Sequence, residues 1–276
     1  MSSKDLRFSF VYFTMEMQFL RAIEEGKVEK VKEIIGSHPD LDVNWGDEES
    51  YGSNAMTIAC DLSHTSIVSF LLTHPDIDVN QGDYGGNSPF LGACMTRQTS
   101  CVRLLLKDSR VNVNEPNNLG FTPLWWAALK DNLDTIKWWI ASGREMDLGK
   151  PGDVDKTDAI GMAKRSEKPE VASLLELFKE NPMETRHRVR LELGYYSEMA
   201  AEVFALVVFV SDGLLQAAPE DQSETTARNA VSFFKIVKRL PLELQMAMCF
   251  RVVGSAEEII NGNESEKAFK ELAKRI

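Results

Sequence analysis

The chain reads as an all-α protein, a solenoid of helix-turn-helix pairs joined by hairpin-like loops and followed by a C-terminal helical bundle. Three observations predict this. The stretch Ser37-His-Pro-Asp-Leu-Asp-Val-Asn44 recurs 36 residues later as Thr73-His-Pro-Asp-Ile-Asp-Val-Asn80, and 34 residues further as Lys107-Asp-Ser-Arg-Val-Asn-Val-Asn114. Alanines at 22, 59, 93, 127 and 163 stand 37, 34, 34 and 36 residues apart, in register with those markers. Apolar residues at helical spacing follow each alanine. A period in the mid-thirties means a copied unit that cannot bury its apolar face alone and takes its core from its neighbours.

Residues 1–15 form an N-terminal flank. Its apolar run, Phe8 to Phe13, is too short and too soon followed by Glu16 to serve as a signal peptide. The array spans residues 16–180, four to five units that are degenerate at both ends. In its clearest unit, Thr122-Pro123 starts the first helix: Thr accepts from a free backbone donor, and Pro loses nothing at the first helical position. The small alanine lets two short antiparallel helices approach. The second helix is the apolar run, as in Val68, Phe70, Leu71 and Leu72 or Val102, Leu104, Leu105 and Leu106. Polar connectors such as Gln81-Gly-Asp-Tyr-Gly-Gly86 carry hairpin-turn chemistry.

The segment Gly120-Phe-Thr-Pro-Leu-Trp-Trp-Ala127 matches the Gly-x-Thr-Pro-Leu-His-x-Ala pattern everywhere except the His. The array therefore resembles the ankyrin-repeat family. Gly86-Asn-Ser-Pro-Phe-Leu-Gly-Ala93 and Gly52-Ser-Asn-Ala-Met-Thr-Ile-Ala59 are weaker copies. Thr57, Leu91 and Trp125 replace the His, so its hydrogen bonds between repeats are missing. The Gly that turns one helix into the next survives only as Gly26, with Ser63, Arg97, Asp131 and Glu167 elsewhere.

The resemblance implies a non-enzymatic adaptor that binds a partner protein on a concave face, lined by hairpin tips and the exposed side of each first helix. Carried over by position, the contact residues are Tyr51 and Ser53 with Asp61 and Leu62, then Tyr84 and Asn87 with Met95 and Thr96. Leu119 and Phe121 with Leu129 and Lys130 complete the set. Trp45 joins on composition. Tyr51, Tyr84 and Phe121 read as a row of aromatic tips, the alternative being that each folds onto its own hairpin. Adjacent helical residues point about 100° apart. Trp126 and at least one of Trp138 and Trp139 are therefore expected in the core, with Trp125 partly exposed and available to a partner.

Charge narrows the partner. Residues 1–180 carry 28 acidic against 19 basic side chains, and no Lys or Arg stands between Lys32 and Arg97. Such a surface repels phosphates and favours a protein with a basic segment, unless it is only a solvated rim. Nucleic acid is disfavoured because its binding is dominated by Lys and Arg. No apolar run reaches the roughly 20 residues a bilayer demands, so no membrane partner is expected. Cys60 and Cys94 occupy equivalent places in adjacent repeats, about 10 Å apart and beyond the roughly 7 Å limit for bridging. Reduced cysteines point to cytoplasm or nucleus. The four His show no metal spacing, and no phosphate loop or dinucleotide fingerprint occurs, so neither cofactor nor metal is expected. His38-Pro-Asp and His74-Pro-Asp read as loops between repeats, and Asp153, Asp155 and Asp158 as a polar turn.

Beyond residue 180 the period ends, and residues 181–276 read as a separate helical domain. Expected helices run from Met183 to Leu193, from just after Ser197 through Leu215, across Val231 to Val237, and from Pro241 to Gly254. A capping box at Ser255 and Glu258 and a tail helix from Ser265 to Arg275 follow. Leu240-Pro-Leu-Glu-Leu244 resembles the opening of F-box motifs, which implies an alternative role as substrate receptor of a ubiquitin ligase. A third reading makes the array a targeting arm for chemistry in this domain, which clusters no acid, base or nucleophile.

Overall fold

The computed structural model describes residues 14–149, 157–211, 237, 242–253, 268, 270 and 272. It is helical, and no strand occurs among the described residues. Two compact units divide the chain, residues 1–186 and 187–276.

In the first unit five helix pairs follow one another: α1 (Met15–Glu24) and α2 (Val28–Ser37), α3 (Ala55–Asp61) and α4 (Thr65–Leu71), α5 (Pro89–Met95) and α6 (Thr99–Lys107), α7 (Pro123–Leu129) and α8 (Leu133–Ser142), α9 (Ala159–Arg165) and α10 (Pro169–Glu180). The first helices stack in one layer, α1 through α9, and the second helices in another, α2 through α10. Each first helix has a side-chain cap one residue before it. Thr14, Asn54, Ser88, Thr122 and Asp158 accept from a backbone N–H in the opening turn. Such a cap is worth about 1 kcal/mol.

The periodic alanines have a second use besides close approach. The carbonyls of Ala22, Ala59, Ala93, Ala127 and Ala163 accept from the backbone N–H of Lys27, His64, Gln98, Asn132 and Lys168, at 2.8–2.9 Å in every repeat. That bond requires the residue before the donor to be left-handed. Gly26, Ser63, Arg97, Asp131 and Glu167 all have φ between 57° and 67°. Four of the five therefore hold a strained backbone that only glycine adopts freely. Ala59, Ala93, Ala127 and Ala163 are fully buried, in equivalent surroundings.

The Val-Asn markers explain how neighbouring loops lock. Val43, Val79 and Val113 are buried. Asn44 donates from Nδ2 to Asp76 O at 2.7 Å and accepts from Asp78 N at 2.8 Å. Asn80 does the same with Arg110 O and Asn112 N, and Asn114 with Glu145 O and Asp147 N. Both ends of each amide are used across a repeat boundary. Arg110 adds a bond to Leu72 O at 2.8 Å, and Arg144 binds the carbonyls of Asp108 and Val111. His38 Nδ1 lies 3.0 Å from Ile34 O, and His74 Nδ1 accepts from Asp76 N, so both His-Pro-Asp segments organise these loops.

All four cysteines among the described residues are free and buried. Cys60 and Cys101, a cysteine in the first turn of α6, interact as buried thiols, and desolvation pushes the Cys94 thiol far up.

Helix α11 (Pro182–Glu192) begins inside the first unit, where Arg186 Nε donates to Ile140 O at 3.1 Å and the guanidinium lies over the Phe178 ring. In the second unit α12 (Tyr195–Ser211) begins three residues earlier than a start just after Ser197, because Gly194, at φ 62°, ends α11 and its carbonyl already accepts from Glu198 N. Helix α13 (Leu242–Val252) packs on α12, and Ala200, Ala201, Phe204, Ala205, Val207, Val237, Cys249, Phe250 and Ala268 form one core. Phe8 to Phe13, Asp153 and Asp155, Leu214 to Phe234, Leu240 and Pro241, and Ser255 to Glu258 lie outside the described residues. No helix among the described residues is long and apolar enough to cross a membrane.

Candidate functional site

Three hairpins precede α3, α5 and α7, and each is closed by one antiparallel backbone bond: Asp47 N to Ser53 O, Asp83 N to Asn87 O, and Asn117 N to Phe121 O. The residue opening each loop folds it. Asp47 accepts from Glu49 N and Ser50 Oγ, Asp83 from Gly85 N and Asn87 N, and Asn117 from Leu119 N and Phe121 N. Asp42 and Asp78 brace the inter-repeat loops in the same way, through Asn44 N and Asn80 N. Part of the acidity is thus turn chemistry. Glu48, Glu49 and Asp61 remain exposed.

Neighbouring tips are joined into a continuous row. Tyr84 N donates to Tyr51 O at 2.8 Å and Asn118 N to Gly85 O at 2.9 Å. Gly52, Gly86 and Gly120 sit at φ 74–84° on the three tips. The Tyr84 ring lies across Gly52, where a Cβ would come within 2.5 Å of it, and Asn118 lies across Gly86 in the same way.

These bonds set the register. Tyr51, Gly85 and Leu119 are equivalent, each just before a tip glycine; Ser50, Tyr84 and Asn118 precede them; Ser53, Asn87 and Phe121 close the loops. The aromatic row expected from Tyr51, Tyr84 and Phe121 is therefore drawn from three different positions. Tyr51 is 80% exposed, Tyr84 62% and Leu119 72%. Phe121 is half-buried, 4.4 Å from the Trp125 ring centroid and 5.7 Å from that of Trp126, so it folds onto its own repeat. Asn87 is engaged too: its Nδ2 donates to the Asp83 carboxylate, and its Oδ1 accepts from Asn117 Nδ2 at 3.0 Å. Ser53 and Trp45 are half-buried.

Trp125 corrects a further expectation. It is buried, at 6% exposure, while Trp126 is the half-buried member of the pair. The position is apolar or capped in every copy: Leu91 is fully buried, and Thr57 is buried in a reciprocal cap with Asn54. Trp126 instead shares its position with Ile58 and Gly92, also half-buried, and Lys130 stands 5.7 Å above its ring. Comparison with Leu91 was the signal that separates the two tryptophans. Trp139 is the core member of its own pair.

Along the first-helix ends, Leu62 is 50% exposed, Thr96 and Lys130 are exposed, and Met95 and Leu129 are half-buried. The Asp61 carboxylate rests over Gly92, where a Cβ would meet its Oδ1 at 2.8 Å. Desolvation against the array, with the Asp83 carboxylate nearby, pushes Asp61 up to about 6.

Residues 19–116 and 84–150 match the family described as ankyrin repeats in three copies. Residues 19–150 of the chain are an ankyrin-repeat array. Ankyrin repeats are generally protein-protein interaction modules. No curated protein matches the chain. In this ankyrin-repeat array the tips and first-helix ends of the second to fourth pairs bring together Tyr51, Tyr84, Leu119, Asp61 and Leu62 on exposed positions, and turn Trp125, Asn87 and Phe121 inward.

Proposed function

We propose that this ankyrin-repeat protein is a non-enzymatic adaptor that holds a partner protein against the hairpin tips and first-helix ends of its second to fourth helix pairs. The observation that carries this reading is the exposure of Tyr51, Tyr84 and Leu119 on three tips bonded into one row. Large apolar side chains held on rigid, adjoining turns lose little entropy when covered, and are the kind of group that anchors interfaces. Glu48, Glu49 and Asp61, in a stretch with no Lys or Arg, favour a partner with a basic segment, chiefly through association rate. Reduced, buried cysteines suit the cytoplasm or nucleus. Residues 187–276 supply a second binding module.

Recovery of partners by the full chain should fall sharply in a Tyr51→Ala, Tyr84→Ala, Leu119→Ala variant whose thermal melt is unchanged. Undiminished recovery defeats the tip assignment. Loss of a ligase adaptor on changing Leu240 and Pro241 would move the function to the second unit.

A further inference from the structure

The chain enters the array beside its first hairpin. Helix α1 starts at Met15, seven residues before Ala22, whereas α3, α5 and α7 start four residues before Ala59, Ala93 and Ala127. The extra three residues, about 4.5 Å of helix, therefore stand at the hairpin end of the first-helix layer. Thr14 caps them with φ −65° and ψ 166°, so the helix stops there and the backbone turns extended. Helix α1 packs on α3, and α3 follows directly on the hairpin that closes from Asp47 to Ser53. Residues before Thr14 thus leave the helical layer next to that hairpin. Among the described residues it has a bonded neighbouring hairpin on one side only, through Tyr84 N and Tyr51 O.

What this hairpin exposes and what residues 4–13 carry are complementary. Tyr51 is 80% exposed, and Glu48 and Glu49 are exposed on the stretch by which this hairpin exceeds the other two. No Lys or Arg stands between Lys32 and Arg97, so the hairpin's own part of the chain provides no counter-charge. Residues 4–13 read Lys-Asp-Leu-Arg-Phe-Ser-Phe-Val-Tyr-Phe. In an extended chain alternate side chains share a side, which groups Phe8, Phe10 and Tyr12. Four aromatic rings within residues 8–13 are costly to leave in water, and an uncovered tyrosine beside them offers cover. Arg7 stands seven positions before Thr14, roughly 23 Å of extended chain and about twice the reach of one arm of a seven-residue hairpin, so the cations can meet Glu48 and Glu49.

We infer that residues 4–13 are a built-in ligand of the first hairpin, with Phe8, Phe10 and Tyr12 laid against Tyr51 and with Lys4 and Arg7 paired to Glu48 and Glu49. The contact does not depend on the adaptor reading. It adds to that reading that a partner reaches Tyr51 only by displacing this segment, and that a competing chain of the same chemistry, cationic at one end and aromatic at alternate positions, displaces it best.

The test uses the full chain with a photoreactive benzophenone side chain in place of Phe10, irradiated and then mapped by mass spectrometry. Adducts within one chain, on residues 47–53, are expected. Glu48→Lys with Glu49→Lys should lower their yield about fivefold, the size of one exposed ion pair. Adding Lys4→Glu with Arg7→Glu to that same chain should restore it. Adducts elsewhere, or none, overturn the inference. So do adducts found only between two chains, which would make a second copy the occupant, and a yield that ignores both charge reversals. If residues 47–53 are labelled while partner recovery ignores the tips, the adaptor reading alone falls. If recovery depends on the tips and the label misses the hairpin, this inference alone falls.

Discussion

Replacing Arg97 by glycine should make the protein more stable, although it removes a side chain and adds nothing. Arg97 sits at φ 63° between α5 and α6, so that Gln98 N can reach Ala93 O at 2.9 Å. A left-handed residue other than glycine costs roughly 1–2 kcal/mol. Glycine loses about 0.5–1 kcal/mol more entropy on folding, which offsets part of the relief. The net expected gain is about 0.5–1 kcal/mol. Arg97 is exposed, so little packing is lost. At a urea slope of about 2 kcal/mol/M, the midpoint should rise by about 0.3–0.5 M with the slope unchanged. Arg97→Ala is the control and should do nothing, because alanine keeps the Cβ that causes the strain. Glu167→Gly, at φ 57°, should repeat the gain independently. A lower midpoint for Arg97→Gly, or an equal rise for Arg97→Ala, would refute the claim that backbone strain is stored at these turns.

Three further outcomes follow. Asn80→Ala removes two bonds across a repeat boundary, to Arg110 O and from Asn112 N, and should cost about 1–2 kcal/mol in a denaturant melt, whereas the exposed Asp40→Ala should be near neutral. Gly52→Ala places a Cβ within 2.5 Å of the Tyr84 ring at φ 75°, so it should displace that ring and change tyrosine fluorescence while costing about 1 kcal/mol. Asp61 titrates near 6 when folded, above its usual carboxylate value, so the native state holds the proton more tightly. Its contribution is therefore present at acid pH and lost as pH rises from about 4 to 6. Asp61→Asn should flatten that slope in thermal melts and, after discounting for screening at an exposed group, gain about 1 kcal/mol or less at pH 7.

Much of the array was legible because its physics is periodic. The alanines, the Val-Asn markers and Thr122-Pro123 each repeat a local solution, and even the positions of strain, Ser63, Arg97, Asp131 and Glu167, follow from asking where the family's glycine was replaced. What the markers do was not legible: nothing in Asn44, Asn80 or Asn114 alone says that both ends of the amide cross to the next repeat. Site residues were read less well. Position in the motif picks out who stands near a tip, but exposure depends on which side chain turns back, and Phe121 turns back because two tryptophan rings offer it a face. Trp125 and Trp126 were reversed because rotation about a helix separates neighbours without saying which points inward; the buried Leu91 one repeat earlier settles that.

The hairpins are not all the same length. The first closes from Asp47 to Ser53, seven positions, whereas those from Asp83 to Asn87 and from Asn117 to Phe121 close over five, and the extra stretch carries Glu48 and Glu49. The backbone bonds between tips already run one way along the row, from Asn118 N to Gly85 O and from Tyr84 N to Tyr51 O. The long, anionic turn at its beginning and Lys130 near its far end add a difference in charge to that direction. A cationic segment laid along it in one direction and the same segment reversed would therefore differ in energy.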